Sequence, residues 1–425
     1  ARVDGNRVRF PSWMVEDAIR KAPSRLVLAK QNGERTVCLE GDNSYFGPSL
    51  DCLDYMDPQT HVRERFTSEH IKVTAALCDA LPSFDWGMTI GMAADVDANI
   101  ADRVIARHTL TNCKKPLVFC CKDVQSVKDT YDMALMLCGG EENFNNAPCL
   151  VHYSEPISPL VYYDLAIEKL IYCAEKNIPT INSPCSQCSG TTPATFAGAM
   201  VQSAAESLSG LILAQLVREG APFVFGAFTS VMDLKTTVFS YGAIELSMMT
   251  GALAQMAQFY KLPFFGTAGA TDSKFCDAQA GAEAAMQCLS SGIIGSGLIH
   301  DCSSWMDHGS LVSPEFMVLV NDIVDNVQHY MKGIPISKET LALDLIDRVG
   351  PGGNYLQEKH TMAHFKEIKY SELFDRTILQ KWEAAGKKTM EQRLQELTLK
   401  KMEIKPEPIP AEIEKEFDEM QKSWK

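Results

Sequence analysis

From about residue 41 the chain alternates short apolar or β-branched runs with longer amphipathic segments, and this rhythm restricts the folds open to it more than any other feature. Strands are expected at residues 44–48, 86–92, 116–121, 149–153, 178–183, 222–226, 263–267 and 298–301. Helices are expected between and after them, at 68–81, 98–112, 125–138, 160–176, 193–219, 241–260, 278–293 and 314–331. One helix after each strand means that successive strands run parallel, and eight such pairs close a barrel more naturally than they spread as an open sheet. The expected fold class is therefore α/β, a (β/α)₈ TIM barrel over residues 41–335. Pro116, Pro222 and Pro263 open three of the strands and Pro179 lies near the start of a fourth, where a missing backbone N–H costs no ladder bond.

Residues 1–40 are expected to form a small cap, with a helix at 12–22 and two strands, 25–29 and 36–39, joined across Asn32-Gly33. Residues 336–425 read as C-terminal helices and an arm: Ser337 is a candidate N-cap, and Gly350-Pro351-Gly352-Gly353 ends the helix it opens. From about Ser371 the chain is rich in Lys and Glu and is broken by Pro406, Pro408 and Pro410, which suggests a solvated arm or an oligomer contact.

Composition excludes several partners. A formal charge of -14, from 40 Lys and Arg against 54 Asp and Glu, argues against nucleic acid, whose binding depends on clustered cations. The 14 cysteines are scattered through apolar runs as reduced core thiols would be, which predicts a cytoplasmic protein. No uninterrupted apolar run reaches the ~20 residues of a membrane span; the longest, 208–217, is broken by Ser209, Gly210 and Gln215.

Barrels of this kind place reacting groups at the C-terminal ends of the strands, and this nominates a rim without any motif. The rim comprises Tyr45, Lys122, His152, Tyr153, Glu155, Asn182, Phe228, Thr267, Asp272, Lys274, His300, Asp301, Trp305 and His308. Tyr45, Phe228 and Trp305 could simply pack, but aromatics beside carboxylates also suit an alkylammonium, whose lost hydration π-faces and counter-charge can replace. Glu155 and Asp301 are candidates for positioning rather than bond-making. Lys274 would be the residue of a Schiff-base lyase, although its neighbours Asp272 and Ser273 are polar. Cys185 and Cys188 have metal-ligand spacing but no second pair, so no metal is expected. The run from Gly266 to Lys274 is glycine-rich without phosphate-loop spacing and reads as a close-approach loop.

The segments Gly266-Thr267-Ala268-Gly269-Ala270-Thr271-Asp272-Ser273-Lys274, Asp277-Ala278-Gln279-Ala280-Gly281, Leu298-Ile299-His300 and Val349-Gly350-Pro351-Gly352-Gly353 together resemble the trimethylamine methyltransferase family. The resemblance runs through nearly the whole chain. It implies a barrel fold and a methyltransferase that passes a methyl group to the cobalt of a separate corrinoid (cobalamin) protein, with no tightly bound cofactor of its own. Founding members carry pyrrolysine near the Asp-Ser-Lys segment, where this chain has Lys274, Phe275 and Cys276. It therefore looks like the non-pyrrolysine branch, which the resemblance associates with quaternary amines such as glycine betaine. The substrate-binding set expected is Tyr45, Tyr153, Glu155, Asn182, Phe228, Lys274, His300, Asp301 and Trp305, with His300, Asn182 or a rim lysine meeting a substrate carboxylate. A homo-oligomer is expected. The competing classes are a Lys- or metal-dependent barrel lyase and a non-catalytic betaine-binding protein.

Overall fold

The computed structural model describes residues 1–302 and 305–424. Eight parallel strands form one curled sheet: β1 Ser44–Phe46, β2 Gly87–Met88, β3 Leu117–Phe119, β4 Leu150–Ser154, β5 Thr180–Asn182, β6 Phe223–Gly226, β7 Phe264–Thr267 and β8 Gly297–His300. They pair in chain order from β2 to β8, and β8 returns to pair with β1 through Leu298 opposite Tyr45. The seam between β1 and β2 is joined by the Asp85 N–H donating to Phe46 O at 2.7 Å, and the Phe46 N–H donating to the Asp85 carboxylate at 2.8 Å. Gly47 permits this approach, because a Cβ there would lie 2.3 Å from the Trp86 ring.

The crossover helices are α1 Ser68–Ala80, α2 Ala101–Asn112, α3 Val124–Cys138, α4 Asp164–Glu175, α5 Phe196–Val217, α6 Ile244–Tyr260, α7 Ala278–Ile294 and α8 Pro314–Met331. Side-chain caps start several of them: Asp123 accepts from the Ser126 N–H, Asp277 from Ala280 and Ser313 from Phe316. Each such cap satisfies a backbone donor that the helix itself cannot. The sequence expectation for strands and helices thus holds element by element, with ends shifted by a few residues.

Alternation along the strands separates two cores. Val118, Val151, Tyr153, Ile181, Val224, Phe265 and Leu298 fill the barrel axis. Their neighbours, among them Leu150, Phe223, Phe225 and Ile299, pack outward under the helices. The N-terminal end of the axis is plugged by the antiparallel hairpin Leu26–Ala29 and Arg35–Leu39, which inserts Leu26, Leu28, Val37 and Leu39. Its place at that end follows from Ala29 N–H donating to Pro148 O at 3.0 Å, and Gln31 N–H to Lys114 O at 3.2 Å, just ahead of β4 and β3.

One expectation gains a detail here and one is corrected. Helix α5 is long and apolar enough by length and composition to cross a membrane, and half of its most apolar window is buried against the barrel. The C-terminal stretch is more than a solvated arm. Met390–Met402 packs on α1 and α8 with Leu394 and Thr398 buried, and Ala411–Ser423 packs on α3 with Phe417 fully buried. Apolar residues spaced through both helices supply the stripes that dock them, whereas the short helices between Lys338 and Ala384 bury no residue.

Candidate active site

The open end of the barrel is built by the segments that follow the strands. Beyond β5, Cys185–Cys188 runs parallel to Phe228–Asp233, which follows β6, with Cys185 opposite Phe228. The loop after β7 has little freedom, because its amides already have internal acceptors. Ala268 N–H donates to His300 O at 3.0 Å, Ala270 N–H to Gln287 Oε1 at 3.1 Å, and Asp272 N–H to Glu283 Oε2 at 3.0 Å. A phosphate cradle needs free amides, so this loop is a brace instead. It positions two aromatics: Asp272 accepts the Tyr241 N–H at 2.8 Å, and the Thr271 N–H donates to Trp305 O at 2.8 Å. Trp305 is fixed from its other side by its indole N–H, which donates to Leu50 O at 2.9 Å.

These constraints gather an aromatic cluster over the barrel axis. The Trp305 ring lies 4.8 Å from Tyr241, 5.7 Å from Phe228 and 6.0 Å from His300, centre to centre. Phe228 and Tyr241 are 5.6 Å apart, and His300 stacks on Phe265 at 4.2 Å. Such ring faces carry negative electrostatic potential and can solvate an organic cation.

Acids stand beside the rings. On β4, Val151 and Tyr153 point to the axis and the alternation carries on to Glu155 just past the strand. Asp51 directly follows Leu50, the residue that holds the indole of Trp305. Asp51 and Glu155 each keep accessible surface although protein surrounds them, as expected of groups lining a recess. Burial pushes Glu155 up to about 7, with the Asp51 charge adding to the rise; the Cys185 backbone and Lys169 oppose it. Burial likewise pushes Asp51 up to about 6 against the pull of Lys169. The Lys169 ammonium is itself occupied by the Cys121 carbonyl.

Asp301 is fully buried, and burial holds its carboxyl well above the usual range, although the Thr267 hydroxyl donates to it at 2.6 Å. Its second oxygen has no hydrogen-bond partner among the described residues. His300 donates from Nδ1 to Gly266 O at 2.6 Å, and its Nε2 lies 3.3 Å from Asp301. Burial lowers His300 to about 3, so it is a neutral ring here. Asp51 and Asp301 both adopt left-handed backbone, φ +58° and +71°, a conformation that costs energy and tends to persist where function requires it.

The expected site residues divide accordingly. Tyr153, Glu155, Phe228, His300, Asp301 and Trp305 come together at the mouth. Tyr45 does not: its phenol lies by the backbone of Cys38 on the plugging hairpin, so it belongs to the opposite end. Asn182 points away from the axis because Ile181 points into it; its amide donates to the Tyr162 hydroxyl at 2.7 Å and to carbonyls of α5. His152 is turned outward by the same alternation and packs edge-on to Phe119 at 5.4 Å. Lys274 is 56% exposed on the outer rim, donating to Asp272 O at 2.8 Å and pairing with Asp307 at 3.8 Å. That is no setting for a desolvated Schiff-base lysine.

Three residues at the mouth were not nominated from sequence: Asp51, Cys185 and Tyr241. Asp51 lies a few residues past β1 and the strand-end rule could have reached it. Tyr241 carries no local signal, since it arrives from the long excursion between β6 and α6. Cys185 was weighed only as half of a metal pair. The segment is extended, so residues three apart face opposite sides. Cys185 accordingly faces the mouth while Cys188 lies 3.8 Å from the Met249 sulfur, and the two cannot share an ion.

Comparison with known proteins gives one picture. The sequence profile of trimethylamine methyltransferase (MTTB) matches residues 1–422. A trimethylamine methyltransferase MttB of Desulfitobacterium hafniense is 32% identical over 417 residues, covering 97% of this chain and 84% of that protein. A glycine betaine methyltransferase of Desulfitobacterium hafniense is 28% identical over 383 residues, 90% of this chain and 80% of that protein. Among solved structures, the Methanosarcina barkeri monomethylamine methyltransferase aligns with a TM-score of 0.53 at 12% identity, over 93% of this chain and 81% of that one, a likeness of fold alone.

Proposed function

Because the chain belongs to the trimethylamine methyltransferase family, we propose that it removes a methyl group from a quaternary amine and delivers it to the Co(I) of a cognate corrinoid protein. The observation that carries this reading is the cluster of Trp305, Tyr241 and Phe228 beside Glu155 and Asp51 at the open end of an otherwise plugged barrel.

The chemistry asks little of the protein in bond-making. Co(I) supplies an electron pair to the methyl carbon, the C–N pair stays on nitrogen, and a quaternary ammonium leaves as a neutral tertiary amine. No general acid or base is obligatory. Rings and carboxyls hold the ammonium with one methyl directed out of the mouth, and such orientation removes several kcal/mol from a barrier. The positive charge on nitrogen disappears in the transition state, so very tight ion pairing would oppose the reaction. Aromatic faces with partly protonated acids give a weaker grip that suits this requirement.

Glycine betaine is the form of the substrate expected from sequence and the one acted on by a relative. The site supports the ammonium half of that expectation; the carboxylate half finds His300 neutral, Asn182 facing outward and Lys274 engaged elsewhere. The test is spectroscopic: chemically reduced cobalamin, the protein and a panel of quaternary amines, followed by the loss of Co(I) absorbance. Methylation with at least one amine supports the proposal, and none with any amine or with corrinoid protein present refutes it.

A further inference from the structure

The charge balance at the mouth is one-sided. Three acids, Asp51, Glu155 and Asp301, act on the same space: Asp301 and Glu155 both influence Cys185 and Tyr241, and Asp51 acts on Glu155. Each is tied to the aromatic cluster. Asp51 follows the carbonyl that holds Trp305, Glu155 lies close enough to the backbone of Cys185, which pairs with Phe228, to be affected by it, and Asp301 follows His300, whose ring meets Phe228 at 5.4 Å. The second oxygen of Asp301 is a further buried polar atom, without a hydrogen-bond partner among the described residues.

Opposing positive groups are committed elsewhere. Lys169, the basic side chain that acts on both Asp51 and Glu155, is 4% exposed on α4 and donates to the Cys121 carbonyl. Lys274 is held on the outer rim, and Arg63 is spent on Asp54 and Asp307. A betaine carries its carboxylate only a few atoms from its nitrogen, so seating the ammonium against the rings would bring that carboxylate within reach of Asp51 and Glu155, the two acids that carry negative charge at neutral pH, Asp301 being held neutral. Like charges so placed repel.

We propose that the substrate of this site is a net-cationic quaternary ammonium without a carboxylate, tetramethylammonium or a hydroxyalkyl-trimethylammonium in class, and that Glu155 and Asp51 select it over zwitterionic betaines. The inference deepens the methyltransferase reading and rests on it for the identity of the site. An uncharged arm such as a hydroxyl can donate to Glu155 or Asp51, whichever protonation state each holds. A carboxylate arm has no proton to donate, and it is tolerated only while both acids stay protonated, which Asp51, held at about 6, does not at neutral pH.

Calorimetric titration of the full chain with tetramethylammonium, choline and glycine betaine at neutral pH tests this directly. The better of the two cations binds more tightly than glycine betaine by about tenfold or more. In Glu155→Gln and in Asp51→Asn the preference shrinks, chiefly because cation affinity falls; two separate variants guard against one failing to fold, and circular dichroism checks both. Betaine binding as tightly as the cations in the unaltered protein overturns the proposal, as does an unchanged preference in both folded variants or a lack of measurable binding by either cation. The two levels fail separately. A betaine-preferring methyl transfer refutes the charge selection and leaves the methyltransferase reading standing, whereas selective cation binding with no methyl transfer does the reverse.

Discussion

Replacing Trp305 by alanine removes the ring that meets both Tyr241 at 4.8 Å and Phe228 at 5.7 Å, and thus opens one wall of the proposed ammonium cage. A single cation–π contact contributes about 0.5–2 kcal/mol, with indole at the upper end. At 1.4 kcal/mol per decade, the expected loss of affinity is about tenfold. The indole N–H also anchors the carbonyl of Leu50 at 2.9 Å, next to Asp51. Losing that bond costs about 0.5–1.5 kcal/mol of stability, so the variant should melt slightly lower while remaining folded. Trp305→Phe separates the two effects, since it keeps a π-face and loses the N–H. The assay is calorimetric titration with the best-binding quaternary amine, alongside thermal melts of all three proteins. Partial recovery of affinity in the phenylalanine variant, without recovery of stability, supports the ring face as the cause. Unaltered affinity in the alanine variant would remove Trp305 from the site. Equal losses in Ala and Phe would transfer the effect to the Leu50 anchor and so to the placement of Asp51.

Other outcomes follow from the same geometry. Glu155 sits at about 7 and Asp51 at about 6, so affinity for a permanent cation should rise as pH increases from about 5.5 to about 8, and the Glu155→Gln variant should flatten the upper part of that rise. Glu155 is held above its ordinary value of 4.5, so its protonated form contributes stability that is whole below 4.5 and lost as pH rises through about 7; Glu155→Gln should therefore raise Tm more at about pH 8 than at about pH 5. Asn182→Ala should leave amine affinity unchanged within about twofold while lowering Tm, because its amide braces β5 to α5 rather than the substrate; a loss of affinity with Tm intact would contradict the outward orientation. Phe417→Ala should destabilise by about 3–5 kcal/mol in denaturant titration, and a cost below about 1 kcal/mol would mean that the last helix is not docked on α3.

The barrel was legible in the sequence because parallel strands covered on both faces read as near-continuous apolar runs, while the helices between them keep their longer period. The same property hid the register. Along Ile178 to Ser183 both faces are buried, so no alternation of polarity distinguishes the axis from the helix layer, and Asn182 was assigned to the wrong side. His152 and Tyr153 are adjacent and both buried, and only the packed structure tells which faces the axis. Tyr45 was misplaced for a different reason: a strand of three residues is too short for its end to be located by pattern, and the ring reaches backward to the hairpin. Tyr241 is brought to the mouth by Asp272 and Gln287 from distant segments, a placement that no local reading supplies.

Among the described residues, the hairpin fills the N-terminal end of the barrel and leaves the C-terminal mouth as the way in. For the reaction proposed, the amine and the large corrinoid-bearing partner must then use the same opening in turn. The small molecule has to be seated before the partner arrives, and the demethylated amine can leave only after the partner has gone. Turnover would be ordered, with release of the methylated partner as a gate on the rate, and an excess of that partner would trap the enzyme behind a closed door. Such kinetics, inhibition by surplus partner that higher amine concentrations do not relieve, would be written into the fold by the four apolar side chains of Leu26, Leu28, Val37 and Leu39.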